Sequence, residues 1–414
     1  MAIHIDPVIS SRIKDAWNNL GVLNPALQNR IAPILARANQ QALTVSQTRS
    51  APPFDSSIPH QALLARSAIS DDLDPIVASL APGVVIDIGP GGEIWGTGKY
   101  QQLDPGWAES VAVWLEHLTQ PKHTFNTTPP VIPIPDSVKI AIAGDWGTGD
   151  WRTQANPAPS TDVARQIGFL HPDVTIHLGD VYYAGTSDEE QHLLVKHWPP
   201  APEGAFTLNS NHEMYSGADP YFVDALANPI FAKQGGCSYF ALTNTNWAIV
   251  GLDSAYYADE EKLYMDGALS PNGGPTDQVN FLETQVATGK KIIVLSHHAG
   301  LSEDGSATTE LWNQVLGAFP AGSAPAFRYW GHFHAGVVYN PFATVNCRCC
   351  GHGGIPWGQA SILQPSPNVA WHEHRSANDP DLPQRVLNGF AVLNLNGPQI
   401  QELFYDENGG IAWP

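Results

Sequence analysis

Short apolar runs recur through the last two-thirds of the chain: KIAIA at 139–143, VTIHL at 174–178, AFTL at 205–208, WAIVGL at 247–252, KIIVLS at 291–296 and FRYW at 327–330. Between several of them lie stretches with apolar residues at helical spacing, DVARQIGFL (162–170), EQHLLVKHW (190–198) and DQVNFLETQV (277–286). Near-continuous apolar strands alternating with amphipathic helices predict a layered α/β domain whose strands are buried on both faces. The closing stretch FAVLNLNGPQIQELFYDENG (390–409) alternates with a period of two around Asn396-Gly397 and reads as a hairpin that completes the sheets.

The beginning of the chain has a different rhythm. Ile9, Ile13, Trp17 and Leu20 fall at helical spacing, and Asn24-Pro25 opens a second periodic stretch through Ile31, Ile34 and Leu35, so the first fifty residues read as a helical hairpin. SAPPFDSS ends that pattern; VVIDI (84–88) and a helix around ESVAVWLEHL (109–118) then form a mixed region. TQPKHTFNTTPPVIPIPDS (119–137) is rich in Pro and Thr and reads as an extended linker or edge segment. The expected division is therefore a helical and mixed region at 1–130, a Pro-rich linker to about 137, and an α/β domain at 138–414.

Composition narrows the function classes. Forty acidic against twenty basic residues give a net charge of −20, which repels a nucleic-acid backbone, so an anionic substrate has to be drawn in locally, for instance by bound cations. No signal-peptide pattern and no run of apolar residues long enough to span a membrane is present, which makes a soluble cytoplasmic protein with no membrane partner the expectation. The Gly-rich GPGGEIWGTGKY (89–100) fails as a phosphate loop, because Glu93 stands where its first Gly belongs and Tyr100 replaces the Ser or Thr. CRCC at 347–350 lacks a second ligand pair at zinc-finger spacing and is expected to be a structural loop.

In α/β sheets, ligands gather beyond the carboxyl ends of the strands. Here KIAIAG ends in Asp145, VTIHLG in Asp180 with Tyr183 three residues later, and AFTLNS in Asn211-His212-Glu213. KIIVLS ends in His297-His298, and FRYWG in His332-Phe333-His334. Any one of these is an ordinary cap, turn or packing residue. Five strand ends delivering carboxylates, a phenol, an amide and imidazoles to one rim form a donor set for two hard or borderline cations, the arrangement for in-line attack on phosphorus.

GDWG (144–147), GDVYY (179–183), NHE (211–213), VLSH (294–297) and GHFH (331–334) resemble, in order, the five motifs of purple acid phosphatases among the calcineurin-like metallophosphoesterases, over about residues 138–340. The resemblance implies a four-layer α/β/β/α sandwich and a phosphatase that hydrolyses phosphate monoesters, and possibly diesters, by attack of a metal-bound hydroxide. It implies Asp145, Asp180, Tyr183 and His334 around Fe(III), and Asp180, Asn211, His297 and His332 around Fe(II), Zn or Mn, with Asp180 shared. His212 would bind phosphate beside Asn211 or protonate the leaving oxygen, and Glu213 would orient it. His298 is either a donor behind the ligands or a packing residue, and His352 is placed to reach the rim of the pocket. Ser210 stands where the family has Gly. The competing readings are a phosphodiesterase acting on cyclic nucleotides or phospholipid head groups, and a non-catalytic scaffold on the same fold.

Overall fold

The computed structural model describes residues 5–51, 83–271, 274 and 276–414. Two mixed β-sheets stack face to face. In spatial order, the first is Ile411–Trp413, Gln399–Asp406, Gly389–Asn396, Ser137–Ala143, Val174–His177 and Gly204–Thr207. The second is Val369–His372, Gly336–Tyr339, Asn346–Cys350, Phe327–Trp330, Lys291–Ser296, Trp247–Leu252, Phe240–Thr243 and Val131–Pro133. The strands that end in the candidate ligands run parallel: 137–143 with 174–177 and 204–207 in one sheet, 291–296 with 327–330 in the other. Parallel neighbours end on the same edge, so the polar residues that close these runs collect on one rim.

The strand 137–143 shows why its sequence reads as apolar throughout. Ile140 and Ile142 join the cluster between the sheets with Ile176, Phe206, Ile249, Ile293 and Leu295, whereas Ala141 and Ala143 face outward under Val163 and Ile167 of the helix Pro159–Leu170. On the other flank, Val250, Leu252 and Val294 pack beneath Leu282 of the helix Asp277–Val286 and Leu311 and Val315 of the helix Glu310–Gly317. Helices cover both outer faces, which is the α/β/β/α order, and a strand covered on both sides needs no polar face.

The helical hairpin at the start of the chain is present as Pro7–Leu23 and Pro25–Thr48. Asp6 and Asn24 cap the two helices through their side-chain oxygens, and a Pro follows each cap at the first helical position, where its missing N–H leaves no helical bond unmade. Ile13, Ala16 and Leu20 lie in one apolar cluster with Val111, Trp114 and Leu115 of the helix Trp107–His117, and Arg12 grips Glu116 of that helix through Nε and Nη2. The same cluster continues through Val163, Ala205 and Phe390, so packing does not break at residue 137. Within the Pro-rich segment, Val131–Pro133 pairs in parallel with 240–243 as the edge strand of the larger sheet. An edge position tolerates Pro because one of its hydrogen-bonding sides is free.

The CRCC segment departs from the expectation of a loop. Asn346–Cys350 is an inner strand of the larger sheet, hydrogen-bonded to 327–330 on one side and 336–339 on the other. Cys347, Cys349 and Cys350 are fully buried and act as small apolar residues, while Arg348 escapes isolation through a bidentate pair with Glu402. Three Cys in five residues obscured a strand pattern that Val or Ile would have made obvious.

Two buried histidines that do not join the ligand cluster predict acid sensitivity. Burial lowers His177 to about 3 and His352 to about 4, against an ordinary value of about 6.5. Above that ordinary value both rings are neutral in folded and unfolded chains. As pH falls, the unfolded chain takes up protons first, so stability declines between about pH 6.5 and the folded values near 3 to 4. Urea unfolding should show a lower midpoint at pH 5 than at pH 7; an unchanged midpoint would contradict these buried neutral states.

Candidate metal centre

Asp145, Asp180 and His332 all sit just past strand ends with left-handed backbone, φ 54°, 80° and 68°. Non-glycine residues adopt this region at a cost, which surrounding contacts must hold in place. Around Asp145 those contacts are visible: both carboxylate oxygens accept the His332 N–H, at 3.1 and 2.8 Å. A Cβ on Gly331 would stand 2.4 Å from Asp145 Oδ2, so that position has no room for a side chain. Gly147 is constrained in the same way. A Cβ there would meet the Asp180 carbonyl at 2.4 Å and Val181 Cα at 2.8 Å.

The ligand atoms form two groups joined by one carboxylate. In the first, His297 Nε2 lies 3.0 Å from Asn211 Oδ1, 3.2 Å from His332 Nδ1 and 3.3 Å from Asp180 Oδ1. His297 donates from Nδ1 to the Leu178 carbonyl, at 2.9 Å, which leaves Nε2 with a lone pair. Asn211 is oriented by its amide nitrogen, which reaches Tyr215 Oη at 3.2 Å, so its oxygen also presents lone pairs. In the second group, Tyr182 Oη stands 2.7 Å from Asp180 Oδ2, 3.1 Å from His334 Nε2 and 3.5 Å from Asp145 Oδ1, with His334 Nε2 3.3 Å from that Asp145 oxygen. All of these residues are buried except His332, which is partly exposed.

Acceptors this close, with few protons to share, repel one another unless cations lie among them. Asp180 Oδ1 is buried and accepts no hydrogen bond, and among the described residues no Lys or Arg pairs with Asp145 or Asp180. Burial, and then the Asp180 carboxylate, push Asp145 well above the usual carboxylate range, so two ionised carboxylates are not compatible here without added positive charge. Burial likewise lowers His334 to about 3, leaving a neutral imidazole suited to ligation. Imidazole, carboxylate, amide oxygen and phenol suit borderline or hard ions, and the residues fit a pair of them.

The structure thus brings together Asp145, Asp180, Asn211, His297, His332 and His334, and separates Tyr183 from them. The Tyr183 phenol points the other way and donates to Asp104 Oδ2 at 2.5 Å, with Lys99 Nζ 3.4 Å from its oxygen. Tyr182 takes the place expected of Tyr183. Val181 bridges Gly147 as a one-residue extension of the sheet, so its two neighbours, Asp180 and Tyr182, share a side while Tyr183 faces away. A Tyr-Tyr doublet offers no composition signal to choose between the two.

For three other residues the structure shows the partners. Glu213 does not orient His212: its Oε1 accepts the Asp180 N–H at 3.1 Å and its Oε2 the Ser210 hydroxyl, so it fixes the backbone of Asp180. His298 has both nitrogens engaged, Nδ1 with Ser254 Oγ at 2.9 Å and Nε2 with the Tyr264 carbonyl at 2.7 Å, and neither is left for a metal or a proton transfer despite their nearness to His297 and His332. His352 is buried beside His334, its ring stacked on Phe404, and does not reach an open rim. A neighbouring network holds its loop: Asn388 Nδ2 donates to the His352 and Ile355 carbonyls, and Arg385 ties Asn388 to Glu407. His212 does face the centre, its Nε2 4.0 Å from Asp180 Oδ2. Ser210 in place of Gly creates no strain, because its φ of −134° and ψ of 179° are extended, and its hydroxyl accepts the His212 N–H at 3.0 Å as a helix cap.

The fold is an α/β/β/α sandwich of two mixed sheets, and the described residues include two groups of side chains that could hold a metal ion, one with His297 and His332 and one with Asp145, Asp180 and His334. No protein-family profile and no curated protein matches the sequence. Among solved structures, the chain is similar to GAP50, the anchor in the inner membrane complex of Plasmodium, with 14% identity and a TM-score of 0.44 over 67% of this chain and 87% of that one. It is also similar to a dimetal phosphatase from Danio rerio, with 13% identity and a TM-score of 0.40 over 65% of this chain and 95% of that one. Likenesses this distant carry no residue roles, which rest on the geometry of the centre. Among the described residues, no helix is long and apolar enough to cross a membrane.

Proposed function

We propose that the chain is a dimetal-dependent phosphoesterase that hydrolyses phosphate monoesters. The observation that carries this reading is the lone-pair cluster around Asp180, whose two oxygens face different ligand groups. Asp180, Asn211, His297 and His332 would hold one ion, and Asp145, Asp180, Tyr182 and His334 the other. Two such ions supply charge that neutralises phosphate oxygens and acidifies water near neutral pH.

The chain's own residues do the rest. Asp180 and Asp145 fix the spacing of the centre, and the Glu213 carboxylate and the His332 N–H hold those two residues in their left-handed conformations. His212 donates from Nδ1 to the Tyr183 carbonyl at 2.7 Å, which directs Nε2 toward the centre, where it can bind phosphate or hand a proton to the leaving oxygen. A phenol among the ligands adds an anionic oxygen and favours a trivalent ion, which leads us to assign Fe(III) to the Tyr182 group and Fe(II), Zn or Mn to the other.

The direct test is turnover of an aryl phosphate by protein stripped with chelator and then reloaded. Activity should vanish on stripping and return with about two equivalents of metal; full activity in the stripped protein would overturn the reading.

A further inference from the structure

We propose that residues 99–107, which precede the α/β sandwich in the chain, act as a positioning element for His212, with Asp104 setting it through Tyr183. This rests on the reading of His212 as the group that faces the substrate.

The chain of contacts is continuous. His212 is held at Nδ1 by the Tyr183 carbonyl, at 2.7 Å. Tyr183 is held at its far end by Asp104 Oδ2, and the same carboxylate accepts the Tyr100 N–H at 2.7 Å and, through Oδ1, the Gly106 N–H at 2.9 Å. Asp104 is therefore itself rigid, fixed by its own turn, and is only 8% exposed. The Trp107 ring stands edge-on to Tyr183 at 4.9 Å and reaches the His212 ring at 5.7 Å, which blocks lateral swing of the imidazole. A Cβ on Gly106 would lie 2.5 Å from Tyr183 Oη, so this approach requires glycine.

Each link has a distinct consequence. A carbonyl acceptor at Nδ1 holds a proton there, so Nε2 is the nitrogen that takes a proton from solvent and, as imidazolium N–H, hands it to the leaving oxygen. Tyr183 is anchored at both ends, by Glu189 at the Tyr183 and Ala184 N–H groups and by Asp104 at the phenol, so loss of the Asp104 bond releases one of the two anchors of the residue whose carbonyl meets His212. General-acid catalysis is sensitive to displacements of this kind, and it matters most when the departing oxygen is a poor leaving group.

The test uses two variants of the full chain, Asp104→Asn and Tyr183→Phe, the second removing one oxygen from a ring that keeps its packing. In metal-free protein labelled with 15N at histidine, the wild type should show His212 as the single Nδ1–H tautomer, and both variants should shift toward a mixture. In metal-loaded protein of unchanged metal content, both should lose at least about ten-fold in kcat on an alkyl phosphate and less than about three-fold on p-nitrophenyl phosphate, whose leaving group needs no proton. An unchanged tautomer, or equal losses on the two esters, overturns the proposal. Inactivity of the loaded wild type would instead count against the phosphoesterase reading, and the tautomer measurement still decides the positioning role.

Discussion

Asp180→Asn is expected to lower phosphate-ester turnover by at least about a thousand-fold and, in the same protein, to raise the stability of the metal-free form by about 1–2 kcal/mol. The two effects have one origin. Asp180 Oδ1 is buried 3.3 Å from a His297 nitrogen that carries only a lone pair, and it accepts no hydrogen bond. Without cations this is a repulsive contact that folding must overcome; with them it is the shared ligand. An amide at this position supplies an N–H that His297 Nε2 can accept, which relieves the repulsion, and removes the negative charge that draws in two ions. Thermal unfolding in chelator, metal analysis and aryl-phosphate kinetics on the same preparation measure all three quantities. A variant less stable than wild type in chelator would show that Asp180 is a structural acceptor instead of a ligand held in waiting.

The second large effect separates the two tyrosines. In oxidised, iron-loaded protein, a phenolate bound to Fe(III) absorbs in the visible, and we expect Tyr182→Phe to abolish that band while Tyr183→Phe leaves it in place. The reason is the direction of the rings: Tyr182 Oη sits among Asp145, Asp180 and His334, whereas Tyr183 Oη is committed to Asp104. Tyr182→Phe also removes a donor from two buried carboxylates, so metal affinity should fall with the colour. The opposite assignment, with the band lost only in Tyr183→Phe, would mean that this segment rearranges when metal binds. A colourless wild type loaded with iron would remove phenol ligation altogether.

Much of the centre can be read from strand ends. Asp145, Asp180, Asn211, His297, His332 and His334 each close an apolar run, and parallel neighbours leave such residues little choice but a common rim. The residues that misled share a different property: their roles depend on which way a side chain leaves the backbone. Tyr183 and Tyr182 differ by one position and face opposite sides. Glu213 follows His212, yet its carboxylate turns to the Asp180 N–H. His298 follows His297, and its ring is claimed by Ser254 and the Tyr264 carbonyl, contacts 44 and 34 residues away in sequence.

The amino-acid sequence by itself determined the layered α/β class, the helical hairpin at the start of the chain, and the set of strand-end donors, because each depends on period or position along one segment. The tertiary structure decided the choice between adjacent tyrosines and the conversion of CRCC from loop to inner strand. It also decided the docking of residues 99–107 against Tyr183 and His212, which makes part of the N-terminal region a wall of the centre. Those outcomes come from contacts between segments far apart in the chain, where a one-residue change in facing reverses what a side chain touches and no local pattern records it.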